Sequence, residues 1–89
     1  MEQFGQVFEI KNRRNVGTKK DFWVRDFSLV IDQNNIYPQT ILFQGIWDTV
    51  DDLEEIKPGD YVTVEYELKG RIRHDKYHNV LEVKKISKS

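Results

Sequence analysis

The sequence predicts an all-β domain: a five-stranded barrel with one short helix between its third and fourth strands. Three observations carry that reading. Five stretches are strand-like, and in the second and fourth the apolar residues alternate cleanly with a period of two. One stretch, Trp47 to Ile56, changes to a period of three, the spacing of a helix stripe. Clusters of Gly, Pro, Asn and Asp fall at the joints between stretches. Eighty-nine residues suit one domain, here spanning 1–89.

The first strand runs from Phe4 to Ile10. Phe4, Phe8 and Ile10 share one parity and Val7 takes the other, so a bulge or burial on both faces is needed to reconcile them. Residues 11–21 lose the apolar period and hold Asn12, Asn15 and Gly17, which makes a long basic loop. Phe22 to Asp32 is the second strand, with Phe27, Leu29 and Ile31 pointing inward. Asp32-Gln33-Asn34-Asn35 is turn chemistry. The third strand runs from Tyr37 to about Gln44, and Pro38, which lacks an amide donor, belongs at its start or on an edge. In the helix, about 47–56, Val50, Leu53 and Ile56 form the buried stripe. Asp48 is placed as its N-cap, and Asp51 and Asp52 occupy the dipole-favoured first turn. Lys57-Pro58-Gly59-Asp60 turns the chain into the fourth strand, where Val62, Val64, Tyr66 and Leu68 alternate up to Gly70. A hairpin tip at about 71–77, centred on His74-Asp75, leads to a fifth strand from about Tyr77 to Ile86. This order is the layout of an OB-fold barrel, although an SH3-like barrel or a small α+β sheet shares part of it. Phe4, Phe8, Phe27, Phe43 and Tyr66 are expected in the core, with Trp47 plugging the barrel.

Composition removes several function classes. At 38% hydrophobic, 33% charged and 12% aromatic, the chain is too apolar for a disordered tail and too charged for a membrane protein. Its longest apolar runs, such as Leu29–Ile31 and Ile41–Phe43, are far short of a membrane span, so no membrane partner is expected. The absence of cysteine excludes disulfides, thiol nucleophiles and thiolate metal sites, and suits a reducing compartment such as the cytoplasm of a bacterium or an infected host cell. The net charge of −1 conceals a pattern. Residues 11–25 carry a net +5 and residues 69–89 another +5, while residues 26–68 between them carry −9. In an OB fold the loops joining strands 1–2 and 4–5 flank the ligand groove beside strands 2 and 3. Those two loops are the basic segments.

The order of motifs Gly5-Gln6-Val7, Phe27-Ser28-Leu29, Tyr37-Pro38-x-x-Ile41-x-Phe43, Trp47-Asp48 and Pro58-Gly59-Asp60-Tyr61-Val62-x-Val64, followed by Arg71 and Tyr77, spans nearly the whole chain. In these it resembles a small family of OB-fold, single-strand-binding-like proteins of unassigned function from Bacteroidetes bacteria and their phages. Most of the matching residues maintain the fold, and the resemblance implies nucleic-acid binding. The chain departs from the pattern at the hairpin tip, where His74-Asp75 replaces the favoured Asn-Gly.

Single-strand binding needs cations for phosphates and exposed rings for bases. Arg13, Arg14, Lys19 and Lys20, followed by Phe22, Trp23 and Arg25, meet that description in the first basic loop. Arg71, Arg73, Lys76 and Tyr77 meet it in the hairpin. The bland alternative is solvated loop charge with the rings in the core. Phe22 and Trp23 must face opposite sides of their strand, and parity with Phe27 sends Trp23 inward and Phe22 outward. Val24, Val30 and Leu42 fall on outward parities, where they could flank a groove or serve self-association. His74 and His78 would be about 13 Å apart on a strand, which speaks against a metal site. Isolated glycines and three serines at mid-strand or tail positions leave no phosphate loop and no nucleophile, so neither catalysis nor a cofactor is expected.

The expected function is non-catalytic binding of single-stranded nucleic acid, DNA ahead of RNA, by a protein that forms homo-oligomers and serves DNA replication. The alternative is an OB-fold interaction module, an accessory subunit of a phage or bacterial complex. OB folds host both.

Overall fold

The computed structural model describes residues 1–15, 22–32, 36–46 and 48–89, with nothing stated for the Asp48 side chain. The elements in chain order are β1 (Glu2–Ile10), β2 (Arg14–Asn15), β3 (Trp23–Ile31), β4 (Gln39–Ile46), helix α1 (Asp48–Asp52) continued by a 3₁₀ turn (Leu53–Glu55), β5 (Tyr61–Arg73) and β6 (Lys76–Lys88). Antiparallel pairings join β1 to both β3 and β5, β3 to β4, and β5 to β6. A parallel pairing of Gln44 with Glu82 joins β4 to β6 and closes a five-strand barrel. The short β2 adds to the edge of β3. This is an OB-fold barrel with its short helix between the third and fourth barrel strands, as the sequence predicts.

β1 serves two neighbours because it bends. Its first half pairs with β5 and its second half with β3, the change falling at Gln6, which pairs with both, and a bulge between Val7 and Glu9 interrupts the β3 pairing. The bend brings backbones close: a Cβ on Gly5 would stand 2.9 Å from the Val30 carbonyl oxygen. The bulge also returns Ile10 to the core while leaving Phe4 and Phe8 outside, 53% and 63% exposed. Both rings were expected inside. The inward set of β1 is instead Gly5 and Val7, so the strand's two largest apolar residues face away from the barrel.

The core comprises Val7, Phe27, Leu29, Phe43, Leu53, Ile56, Val62, Val64 and Val83. Phe27 and Phe43 are register partners stacked at 5.6 Å, and Tyr66 meets Phe43 edge-on at 5.1 Å. The helix is shorter than expected, but its stripe of Val50, Leu53 and Ile56 is buried as the spacing requires. At its start Thr49 Oγ1 accepts from the Ile46 amide at 2.8 Å and donates to the Ile46 carbonyl at 2.6 Å. Trp47 and the N-cap role of Asp48 lie outside what is described. The third strand starts at Gln39, two residues late, because Tyr37 sits in a bend and is 82% exposed.

The largest difference from expectation is the β5–β6 hairpin. Both strands run for 13 residues, and their distal halves leave the barrel as a free-standing arm. Arg73 pairs directly with Lys76, so His74 and Asp75 make a two-residue turn, with φ of 51° and 61°. Two consecutive left-handed residues are the type I′ geometry that matches strand twist. The turn that Asn-Gly favours is therefore kept with His-Asp, both residue types enriched in that region.

Candidate nucleic-acid interface

Strand alternation and register set what faces outward on the barrel wall. On β3 the outward residues after Phe22 are Val24, Asp26 and Ser28; their partners on β4 are Ile46, Gln44 and Leu42. On β6 the same face carries Glu82, Val80 and His78, and on β5 Lys69, Arg71 and Arg73. Two adjoining hollows of about 260 and 420 Å³ lie over this surface and share Arg14, Gln44 and Val80. The larger is floored by Phe22, Val24 and Ile46 and walled by the cations of the arm. Arg14 reaches it from β2, on the first basic segment, so part of each basic segment meets the other across one groove.

The groove takes some of the expected residues and leaves others out. Arg14, Phe22, Arg71 and Arg73 line it. Arg13 turns away to the helix, where Glu54 and Asp51 pair with it. Arg25 donates to the Lys11 carbonyl at 2.7 Å and pairs with Glu54 at 3.3 Å, tying the first loop to β3. The acidic helix thus neutralises two arginines of the first basic segment, Arg13 ahead of β2 and Arg25 on β3. Lys76 and Tyr77 are exposed at the arm tip. Tyr77 pairs with Ile72 on the face opposite Arg71 and Arg73, away from the groove. Lys19 and Lys20 lie outside the described residues.

Parity needs two corrections at the start of β3. Trp23 was sent inward, yet it is 40% exposed, because β4 covers β3 only from Val24 onward and Trp23 stands past the end of the core. Val24 is on the outer face as expected but is only 1% exposed, since β2 pairs beside it and it shares the hollow with Phe22 and Ile46. Sequence reasoning missed Gln44, Ile46, His78 and Val80 as groove residues. Their alternation is legible, but their meeting depends on the β4–β6 register, which leaves no local signal.

Ion pairs tune the groove. Arg14 Nη2 lies 3.1 Å from Asp26 Oδ2. Glu67 and Glu82 are direct cross-strand partners, an unfavourable like-charge pair that Lys84 bridges at 3.7 and 2.9 Å. The Lys84 ammonium is held above its usual value by its hydrogen bond to Glu82. The Glu67 carboxyl is held below its usual value, chiefly by a hydrogen bond from Lys69. Among the described residues no group of three His, Asp or Glu could hold a metal, and no helix is long and apolar enough to cross a membrane.

Residues 2–87 match the family described as "Domain of unknown function (DUF3127)". The chain belongs to that family. None of the curated proteins compared with it is similar. Among solved structures, this DUF3127 chain is similar to a small single-stranded DNA-binding protein from Streptomyces coelicolor, with a TM-score of 0.55 and 13% identity over 100% of this chain and 92% of that one. It is also similar to the Plasmodium falciparum SSB in complex with ssDNA, with a TM-score of 0.49 and 17% identity over 93% of this chain and 81% of that one. At such identities the first likeness shows a shared fold, and the second adds nothing to it.

Proposed function

We propose that this DUF3127 protein binds single-stranded DNA, without catalysis, in the groove between β3, β4 and the β5–β6 arm. The observation that carries the reading is the convergence of Arg14 with Lys69, Arg71 and Arg73 around a floor that includes Phe22. Cations around a groove neutralise phosphates and release counterions, and a ring on the floor offers a base a stacking surface. The fold shared with a small single-stranded DNA-binding protein supports the same reading. Fluorescence anisotropy with a labelled oligodeoxynucleotide tests it. Arg71→Glu combined with Arg73→Glu is expected to weaken binding about tenfold or more at low salt. Unchanged affinity would remove the arm from the site.

A second reading, an interaction module assembling with itself or with a phage or bacterial complex, has one observation in its favour. Phe4 and Tyr61 stack at 5.8 Å on the outside of β1 and β5, 53% and 43% exposed, and Phe8 nearby on β1 is 63% exposed. Sedimentation of the wild type and of Phe4→Ser tests it. A dimer or larger assembly that dissociates in the variant supports self-association through that face.

A further inference from the structure

The floor of the groove carries carboxylates, an odd feature for a surface that would hold a polyanion. Register fixes where they stand. Asp26 pairs with Gln44 and Gln44 pairs with Glu82, so three strands set one polar rung straight across the sheet. It is flanked by an apolar rung, Val24 with Ile46, and by Ser28 with Leu42. The Asp26 and Glu82 side chains are sunk, 19% and 20% exposed, whereas those of Arg14 and Lys69 stand at 53% and 49%. Asp26 and Glu82 belong to the floor and Arg14 and Lys69 to the rim, where the exposed Glu67 pairs with Lys69 at 3.1 Å and leaves Arg71 and Arg73 as the arm's further cations.

A phosphate laid on that floor would meet two carboxylates, each already holding one cation, Arg14 or Lys84, and would compete with them for it, whereas one laid on the rim meets the guanidinium groups of Arg71 and Arg73 beside Arg14 and Lys69. We infer that a single strand lies with its phosphates on the rim and its bases against the floor, and that the rung Asp26–Gln44–Glu82 favours bases presenting amino hydrogens over thymine. This rests on the single-strand reading above and adds an orientation and a base preference to it. The ion pairs engage Oδ2 of Asp26 and Oε1 of Glu82. A carboxylate has further acceptor lone pairs and no donor. The N4 amino group of cytosine, like N6 of adenine, donates to such an oxygen, while the O4 of thymine in the equivalent place is itself an acceptor. Gln44, between them, can donate or accept.

The test compares oligodeoxycytidine and oligodeoxythymidine of equal length by anisotropy at neutral pH and one low salt concentration. Both are pyrimidines, so size and charge are held constant. The wild type is expected to bind the cytosine strand about tenfold more tightly. Asp26→Asn combined with Glu82→Gln is expected to bring the ratio near one. Because both strands are measured on the same variant, the change in overall charge cancels in the ratio. Equal or weaker binding of the cytosine strand by the wild type would overturn the base preference while leaving strand binding intact, and so would a ratio that survives in the variant. Binding of neither strand would overturn the single-strand reading itself.

Discussion

Phe22 and Trp23 are adjacent, and alternation separates them: Phe22 lines the groove, while Trp23 stands at the end of the barrel with 40% of its surface in solvent. Phe22→Ala is therefore expected to weaken single-strand binding by about 1–3 kcal/mol, and Trp23→Ala to leave it nearly unchanged, both read by anisotropy titration. Gly5 is constrained differently. An added Cβ would lie 2.9 Å from a Val30 backbone oxygen and 3.2 Å from the Leu29 Cβ, where neither neighbour can swing aside. Gly5→Ala is expected to cost on the order of 1–3 kcal/mol in urea unfolding without altering the groove. The inward residues Phe27, Leu29, Val62 and Val64 were legible because their strands alternate without interruption. Phe4 and Phe8 were not, because the close approach at Gly5 and the bulge that follows decide which face of β1 turns inward, and hydrophobicity does not report either.

The arm is the element that departs most from its sequence-level outline. Its existence was legible from the turn residues, but its length was not: Leu68 and Ile72 are 60% and 63% exposed, so past the barrel the strands continue on backbone pairing rather than burial. The type I′ turn at His74-Asp75 places two side chains in the left-handed region. His74→Asn with Asp75→Gly is expected to stabilise the hairpin by about 1 kcal/mol, raising Tm by roughly 4–8 °C if the arm unfolds with the barrel. The turn before β5 carries a pH dependence. The Asp60 carboxylate accepts from the Lys57 amide at 2.9 Å and pairs with Lys88 at 3.3 Å. The Lys57 hydrogen bond first, and Lys88 after it, hold this carboxyl below its usual value. A folded value below the unfolded one means the contribution is complete above the ordinary carboxylate pKa and is lost as pH falls through the lowered value. Asp60→Asn is expected to flatten the acid limb of a Tm-against-pH curve, and an unchanged limb would show that other carboxylates set it.

On the scale of the whole molecule, a net charge of −1 coexists with a cation-rimmed groove because the sorting of charge along the chain leaves two basic segments that meet there through Arg14, Lys69, Arg71 and Arg73. The charge blocks in the sequence foretold that sorting in outline. They did not foretell that Glu54 would claim Arg13 and Arg25, a contact between segments far apart in the chain. With four cations on the rim, the logarithm of affinity is expected to fall against log salt with a slope of about −3, at roughly −0.7 per phosphate on a single strand. A slope near zero would mean that binding, if present, avoids the rim. Amide chemical-shift mapping during titration with a single-stranded oligodeoxynucleotide locates the contact surface itself. Shifts concentrated at Arg14, Phe22, Gln44, Arg71 and His78 are the expected result, and shifts centred on Phe4, Phe8 and Tyr61, or none at all, would contradict the groove as the binding site.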